Sequence, residues 1–291
     1  MPSIIFMIVL LAIFNAPLIY SIYQLYRQKR DYLAKGHYPF TDMPLRPPGE
    51  ELRLKIQELE DKLLDAYLAI ASLSLACSII TLSAIKSQGF LAVIVIVVLL
   101  YAFSWRFTRR MLNLMEELRN KRLGYLGERV VGETINQLLA HGFKVFHDLP
   151  LDGFNVDHVV VGSQGLFAIE TKTVRRPNTP RGHPDHIANY DGKVLTFPFG
   201  RDRYYKIEEA KSRADGLSRW LTQSTGKPFY AQSILALPDW YVKRTGVSDV
   251  TVLNPKEIVI WLQNCPKKLS ADQIQTIVLA LNLKCRLPKP H

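Results

Sequence analysis

Acidic and basic side chains follow an apolar segment near the middle of the chain, in a pattern typical of the end of a β-strand. The segment "FAIETK" places Glu170 and Lys172 two residues apart, and Asp157 lies in the preceding segment "NVDHVVVG". Residues two apart in a strand share a face. Two carboxylates beside a lysine suit metal-assisted hydrolysis of a phosphodiester, and a structural ion pair is the simpler alternative.

The short connection "SQG" between these segments predicts a β-hairpin. If its last two residues form the turn, Ser163 pairs with Leu166. Asp157 then lies directly opposite Lys172 and diagonal to Glu170, with opposed Cβ atoms about 5 Å apart. We therefore expect the three side chains to converge on one face of the sheet, since only a one-residue slip of register would separate them.

In this interpretation Asp157 and Glu170 bind a hard cation, Mg²⁺ or Mn²⁺. Such a cation lowers the pKa of a bound water and neutralises charge on the substrate phosphate. Lys172 can orient the attacking water or stabilise the negative charge that develops.

The elements around the hairpin predict an α/β domain that begins near residue 121. Gly124 and Gly127 are expected to interrupt a long helix, and the helix that resumes after them ends at Gly142 as its C-cap. Val159 to Val161 predict a strand buried on both faces, with helices covering the sheet. Later elements carry recognisable caps: Asn254 before Pro255, and Ser270 with Gln273. In order, the predicted strands are 144–151, 155–162, 165–172, 194–199, 229–238 and 250–254, and the predicted helices include 205–222 and 271–283.

The central block of the chain resembles the NERD, or nuclease-related, family of the PD-(D/E)xK superfamily. The resemblance rests on "GYLGERVV", "VDHVVVGSQGLFAIETK" and "VTVLNPKEIVIWL", and it covers about residues 121–264. It implies a restriction-endonuclease-like fold with a central mixed sheet flanked by helices. It also implies that Asp157, Glu170 and Lys172 are catalytic, with Glu128 as a third acidic group and metal ligand.

One position departs from the family, whose later helix usually carries a glutamine where this chain has Glu209. An acidic side chain there would repel a substrate phosphate. Glu133 is a weaker alternative to Glu128, because it fits a solvated helix position. His158 is expected to pack as a structural histidine that points away from Asp157, and His183 with His186 makes a poor zinc site without further ligands.

Three segments free of Lys, Arg, Asp and Glu lie at 3–26, 66–85 and 87–105. About 20 apolar residues in a helix match the hydrocarbon thickness of a bilayer, so the pattern predicts three membrane-spanning helices. A cleaved signal peptide is disfavoured for the first, because its basic residues follow the apolar run. The later two, joined by "KSQG", predict a helical hairpin.

Basic clusters set the predicted orientation. "RQKR" follows the first segment and "RFTRR" follows the third, which places the N-terminus outside and the α/β domain in the cytoplasm. The three cysteines fit a reducing compartment. The net charge of +11 suits either nucleic acid or anionic lipid. The predicted organisation is a first transmembrane helix (1–26), a cytoplasmic linker and helix (27–65), a transmembrane hairpin (66–105), a juxtamembrane helix (106–120) and the nuclease-like domain (121–291).

Together these features predict a multi-pass membrane protein with a cytoplasmic Mg²⁺- or Mn²⁺-dependent nuclease that acts on DNA. The partners expected are nucleic acid, a lipid bilayer contacted through three helices, and a second copy of the chain, since the helical stripe formed by Leu52, Ile56, Leu59 and Leu63 suits intramolecular or dimer packing. The alternative is a catalytically silent membrane-tethered scaffold that binds nucleic acid or protein.

Overall fold

A computed structural model describes residues 43–86, 90–175, 184–198 and 207–288, together with residues 16, 20, 21, 23, 24 and 26–28. The chain divides into two compact units, one of residues 45–285 and one of residues 1–44 with 286–291. In the smaller unit, Leu287 N–H donates to the Pro44 carbonyl at 3.0 Å. The predicted site residues all belong to the larger unit.

Two long helices open the larger unit: α1 (Glu50–Lys86) and α2 (Phe90–Ile135). The α1 helix begins with Glu50 and Glu51, which suit the positive end of the helix dipole. The helices pack through Leu59 and Leu63 of α1 and Met111 and Leu118 of α2, all buried. The predicted apolar stripe of α1 therefore packs within the chain.

No helix in the part of the chain that the structure describes is long and apolar enough to cross a membrane. Of the segments predicted as spans, 66–85 lies in α1 and residues 90–105 of the segment 87–105 lie in α2, and both helices continue into charged segments. The structure does not support them as membrane spans. Most of the first predicted span lies outside the described residues.

The α2 helix continues through Gly124 and Gly127, where the sequence predicted an interruption. Both glycines lie at close contacts instead: a Cβ on Gly127 would lie 1.7 Å from Thr173 Oγ1, and one on Gly124 would lie 3.2 Å from Leu52. These positions are therefore glycine because a side chain would not fit, and not because the helix ends there. A 3₁₀ helix (Asn136–His141) follows and ends at Gly142, which has φ 83° as the predicted C-cap requires.

The central sheet is mixed and has five strands in the order β1-β2-β3-β6-β8. Its first three strands are antiparallel, and β3, β6 and β8 are parallel. The strands are β1 (Lys144–Leu151), β2 (Phe154–Gly162), β3 (Gly165–Thr171), β6 (Ala231–Ala236) and β8 (Val250–Leu253). The α/β fold with a mixed central sheet agrees with the sequence prediction.

Helices cover both faces of this sheet. On one face α3 (Ile207–Thr225) and α5 (Ala271–Lys284) pack on Val159 and Val161. On the other face α2 and α4 (Pro255–Gln263) pack on Val160. All three valines are fully buried, as the continuous apolar run predicted. The capping boxes at Asn254 and Ser270 are formed as well.

A second, three-stranded sheet has the order β5-β4-β7. Its strands are β4 (Ile187–Tyr190), β5 (Leu195–Thr196) and β7 (Tyr241–Arg244), and a short 3₁₀ helix (Pro184–His186) precedes β4. Trp240 is fully buried in the core beneath it, and its indole N–H donates to the Val174 carbonyl at 3.1 Å. The sequence prediction missed β4 and β7.

Candidate active site

The β2–β3 hairpin sets the relative position of the strand carboxylates. Gly162 pairs with Gly165 and His158 pairs with Ile169, so the predicted pairing of Ser163 with Leu166 is wrong by two residues. The turn closes one residue earlier because Gly165 already belongs to β3, with a φ of 147° that suits glycine. Continued along the strands, this register puts Asp157 opposite Glu170 instead of Lys172. A shift of two residues keeps every side chain on its predicted face.

Asp157 and Glu170 form a pair of half-buried, mutually repelling carboxyl groups. Burial raises the pKa of Asp157 to about 7, and a hydrogen bond from Thr171 N–H to Asp157 Oδ2 (2.7 Å) opposes the increase. Burial, with the nearby Asp157 charge, raises the pKa of Glu170 to about 9. Such increases mean that the chain holds both groups where an added positive charge would be favourable.

Glu128, on α2, lies close enough to these carboxyl groups for their charges to change its pKa. Its pKa is raised to about 9, by burial first and then by the charges of Asp157, Asp148 and Glu170. The preceding Gly127 allows this helix to approach the loop after β3, because any side chain there would overlap Thr173. The pair Gly127–Glu128 therefore has two roles. The glycine allows the close approach of the helix, and the glutamate adds the third acidic group. Glu133, the alternative, is exposed and pairs with Arg129 at 2.8 Å.

Lys172 directly follows β3, and its backbone N–H donates to the Ala236 carbonyl at 2.9 Å. Its positive charge opposes the increase in the pKa of Glu170, which burial causes. Lys172, Thr171 and Glu128 line a cavity of about 910 Å³ between α2 and the segment after β3. Asp157 and Glu170 are not part of the cavity lining. The cavity therefore reaches the site on the Lys172 and Glu128 side.

The fit of a metal ion to these residues depends on two carboxylates. No group of three or more His, Cys, Asp or Glu side chains within the described ranges could hold a metal ion. Mg²⁺, however, is commonly bound by one or two carboxylates and keeps several waters. Asp157 and Glu170 supply those donors, and Glu170 Oε2 is a buried oxygen without a hydrogen-bond partner in the part of the chain that the structure describes. In donor chemistry, this pair fits a hard cation.

Asp148 is an acidic residue that the sequence analysis missed. It lies within β1 with a φ of 50°, uncommon for a residue other than glycine. Its carboxylate pairs with Arg46 and accepts hydrogen bonds from Glu51 N–H and Asn155 Nδ2, each at 3.0 Å. Asp148 therefore ties the start of α1 to the sheet beside the site. No sequence signal marks it, because positive φ at an aspartate cannot be inferred from one chain.

A chain of hydrogen bonds runs behind the strand carboxylates through two buried histidines. Thr171 Oγ1 lies 3.2 Å from His158 Nε2, the two Nδ1 atoms of His158 and His147 are 2.9 Å apart, and His147 Nε2 lies 3.0 Å from Asn136 Oδ1. Burial lowers the pKa of His147 to about 4 and that of His158 well below its usual value. Both rings are therefore neutral at pH 7.

Because both imidazole rings are neutral, this series of hydrogen bonds allows one arrangement of its protons. Asn136 Oδ1 can only accept, so His147 carries its proton on Nε2 and its Nδ1 accepts from His158. His158 then has a bare Nε2, which accepts from the Thr171 hydroxyl. This agrees with the structural role expected for His158, and it gives a role to His147. Thr171 is thereby fixed at the point where its N–H binds Asp157.

His183 lies outside the described residues, and His186 is buried. Cys285 is buried, and its thiol donates to the His147 carbonyl at 3.0 Å.

Residues 123–238 match the family model described as NERD, the nuclease-related domain. No curated protein and no solved structure gives a significant match to the chain. The resemblance inferred over about residues 121–264 is therefore supported for residues 123–238, the segment that holds all four predicted site residues.

Proposed function

We propose that this protein is a nuclease that hydrolyses phosphodiester bonds, with DNA as its substrate and Mg²⁺ or Mn²⁺ as its cofactor. The observation that carries the proposal is the pair of half-buried carboxyl groups, Asp157 and Glu170, on adjoining strands next to Lys172. The match of the surrounding residues to a nuclease-related domain supports the same conclusion.

In this proposal each site residue has one role. Asp157 and Glu170 bind the cation, and Glu128 is the third acidic group that completes the negative field. When bound, the cation lowers the pKa of a coordinated water and offsets charge on the phosphate. Lys172 orients the attacking water or stabilises the charge that develops in the transition state.

Protonation of the carboxyl groups gives the proposal a pH dependence. With pKa values of about 9, Glu128 and Glu170 keep their protons at neutral pH in the cation-free chain. Cation binding must displace those protons, since the ligand form is the carboxylate. Affinity for Mg²⁺ should therefore rise with pH up to about 9.

We also propose that the domain is anchored to a membrane, with its catalytic part in the cytoplasm. The support comes from the uncharged segment at 3–26 and from "RQKR" directly after it. Reporter fusions at residues 45 and 291 should place both positions inside the cell.

The nuclease proposal is tested by cleavage of plasmid, linear duplex and single-stranded DNA, and of RNA. The full-length protein should cut in Mg²⁺ or Mn²⁺ and stop in chelator, and Asp157→Ala and Glu170→Ala should each abolish cutting while the protein stays folded. Absence of cutting by the wild type on every substrate would favour the silent scaffold. Unfolding of both variants, without cation binding by the wild type, would favour a structural ion pair.

A further inference from the structure

Arg213 extends from α3 toward the strand carboxylates. Its Nε lies 4.0 Å from Glu170 Oε2, and its side chain is three-quarters buried, with 25% exposed. Its charge also acts on Asp157, since it is one of the groups that oppose the burial-driven increase in the pKa of that residue. Arg213 therefore faces both members of the carboxylate pair from the neighbouring helix.

The gap between Arg213 and Glu170 separates two polar atoms that do not bond to each other. Arg213 Nε and Glu170 Oε2 are both buried, and neither has a hydrogen-bond partner among the residues that the structure describes. A separation of 4.0 Å is too long for a direct hydrogen bond. Buried polar groups are usually satisfied, and exceptions concentrate at functional sites. The unpaired donor points to an acceptor supplied by a ligand.

Neighbouring residues fix the orientation of this guanidinium. Arg213 Nη2 donates to Glu209 Oε1 at 3.1 Å, one helical turn earlier. The guanidinium carbon lies 5.1 Å from the centre of the Phe154 ring, within range of a cation–π interaction. Gly216 makes room for that ring, since a Cβ there would lie 2.2 Å from it. Arg213 is thus held in place before any substrate arrives.

The contact between Arg213 and Glu209 also changes the effect expected of an acidic side chain at position 209. An acidic side chain at this position would repel a substrate phosphate if it stood alone. Glu209 instead pairs with Arg213 in the described structure, so the guanidinium offsets its negative charge. An arginine also offers several N–H donors in a planar fork, which matches phosphate oxygens.

We propose that Arg213 is a phosphate-binding residue of the active site, which contacts the phosphodiester that is cut, and that Glu209 holds it in position. The inference rests on the proposed function, because it assigns a substrate contact to the same site. It adds a residue that the chain supplies from α3 and that sequence patterns did not reveal. Its ligand class is the phosphodiester of a nucleic acid.

The test compares Arg213→Gln with Arg219→Gln, a matched control that removes an exposed arginine from the same helix. Full-length protein binds a fluorescent DNA duplex in Ca²⁺, which suppresses cutting, over a range of salt concentrations, and cleavage is then measured in Mg²⁺. Arg213→Gln should lower cutting by about 10²-fold and reduce the salt slope of affinity by about one counterion. Arg219→Gln should cut close to the wild-type rate.

Two further variants separate binding from a structural role. Arg213→Lys keeps the charge but loses the fork, so it should stay folded and cut at an intermediate rate. Glu209→Gln keeps a side-chain oxygen that can accept from Arg213 but removes the acidic charge, so it should bind DNA at least as tightly as the wild type. If Arg213→Gln cuts and binds like the wild type, or if it unfolds while Arg213→Lys behaves like the wild type, the proposal is overturned.

The outcomes also distinguish this proposal from the proposed nuclease function. If no variant cuts but Arg213→Gln still loses about one counterion from its salt slope, the nuclease proposal fails and the phosphate contact stands. If the wild type cuts and Arg213→Gln cuts equally well, the nuclease proposal stands and the Arg213 contact fails.

Discussion

Two clusters of ionisable residues lie on opposite faces of the sheet, one on β2 and β3 and the other on β1 and β2, and they differ in how their polar atoms are hydrogen-bonded. On one side, Asp157 and Glu170 repel each other, and Glu170 Oε2 has no hydrogen-bond partner among the described residues. On the other side, His147 and His158 form a continuous chain of hydrogen bonds from Asn136 to Thr171. Strand alternation produces the difference, because neighbouring residues point to opposite faces.

The acidic side has the properties of a binding site, and the histidine side has the properties of its structural support. A satisfied buried network adds rigidity and specifies one arrangement of its members. A set of unsatisfied, repelling carboxyl groups costs stability and is favourable only when a ligand offsets the charge. We infer that the histidine side holds Thr171 in place, and through its N–H holds Asp157, so that the acidic side keeps its geometry without a ligand.

The largest expected effect comes from changing Lys172 on the acidic side. If Lys172 acts in the transition state, Lys172→Met should lower Mg²⁺-dependent cutting by about 10²- to 10³-fold. DNA affinity measured in Ca²⁺ should stay near the wild-type value, because the interaction contributes little to ground-state binding. A loss of affinity without a loss of turnover would instead assign Lys172 to a binding surface.

The next effect comes from breaking the histidine network. His158→Ala should lower the free energy of unfolding by about 2–4 kcal/mol, because it leaves buried polar partners unsatisfied and creates a cavity. His141→Ala changes an exposed histidine and should cost under about 0.5 kcal/mol. Urea denaturation measures both. Equal effects of the two variants would mean that the network contributes no stability.

Smaller, pH-dependent effects should have opposite signs on the two sides. The folded-state pKa of Glu170 is raised, so its contribution to stability is present at low pH and is lost as pH rises from about 4.5 through 9. The folded-state pKa of His147 is lowered, so stability is lost as pH falls from about 6.5 to about 4. The free energy of unfolding, measured in the presence of chelator across this pH range, should show both slopes.

Glu170→Gln isolates the acidic contribution to that profile. The amide has no proton to lose, so the variant should be more stable than the wild type at pH 8, by a larger margin than at pH 5. His147→Asn should reduce the loss of stability as pH falls below about 6.5 and leave the loss at high pH unchanged. If the difference in stability between Glu170→Gln and the wild type stayed constant with pH, the folded-state pKa of Glu170 would not be raised.

The site could be predicted from the sequence because it depends on alternation. A register error of two residues moved the partner of Asp157 from Lys172 to Glu170 but left the face unchanged. The caps at Gly142, Asn254 and Ser270 were predictable for the same kind of reason, since each depends on the chemistry of a few adjacent residues.

The features that sequence analysis missed depend on contacts between distant parts of the chain. Asp148 adopts a positive φ where it meets Arg46, more than one hundred positions earlier. Gly127 was expected to interrupt a helix but admits Thr173 instead. Strand β7 lacks the alternation of a half-buried strand, because three of its four residues are exposed. Local propensity gives no information on such long-range contacts.

The central claim is that the acidic side is a cation site, and cation binding by the full-length protein tests it most directly. Isothermal titration of Mn²⁺ at pH 7 in buffers of different ionisation enthalpy reports both affinity and the number of protons released. The wild type should bind Mn²⁺ and release protons, and Glu170→Gln should bind far more weakly and release fewer. Binding of equal strength by both proteins, or no binding by the wild type at any pH up to about 9, would contradict the claim.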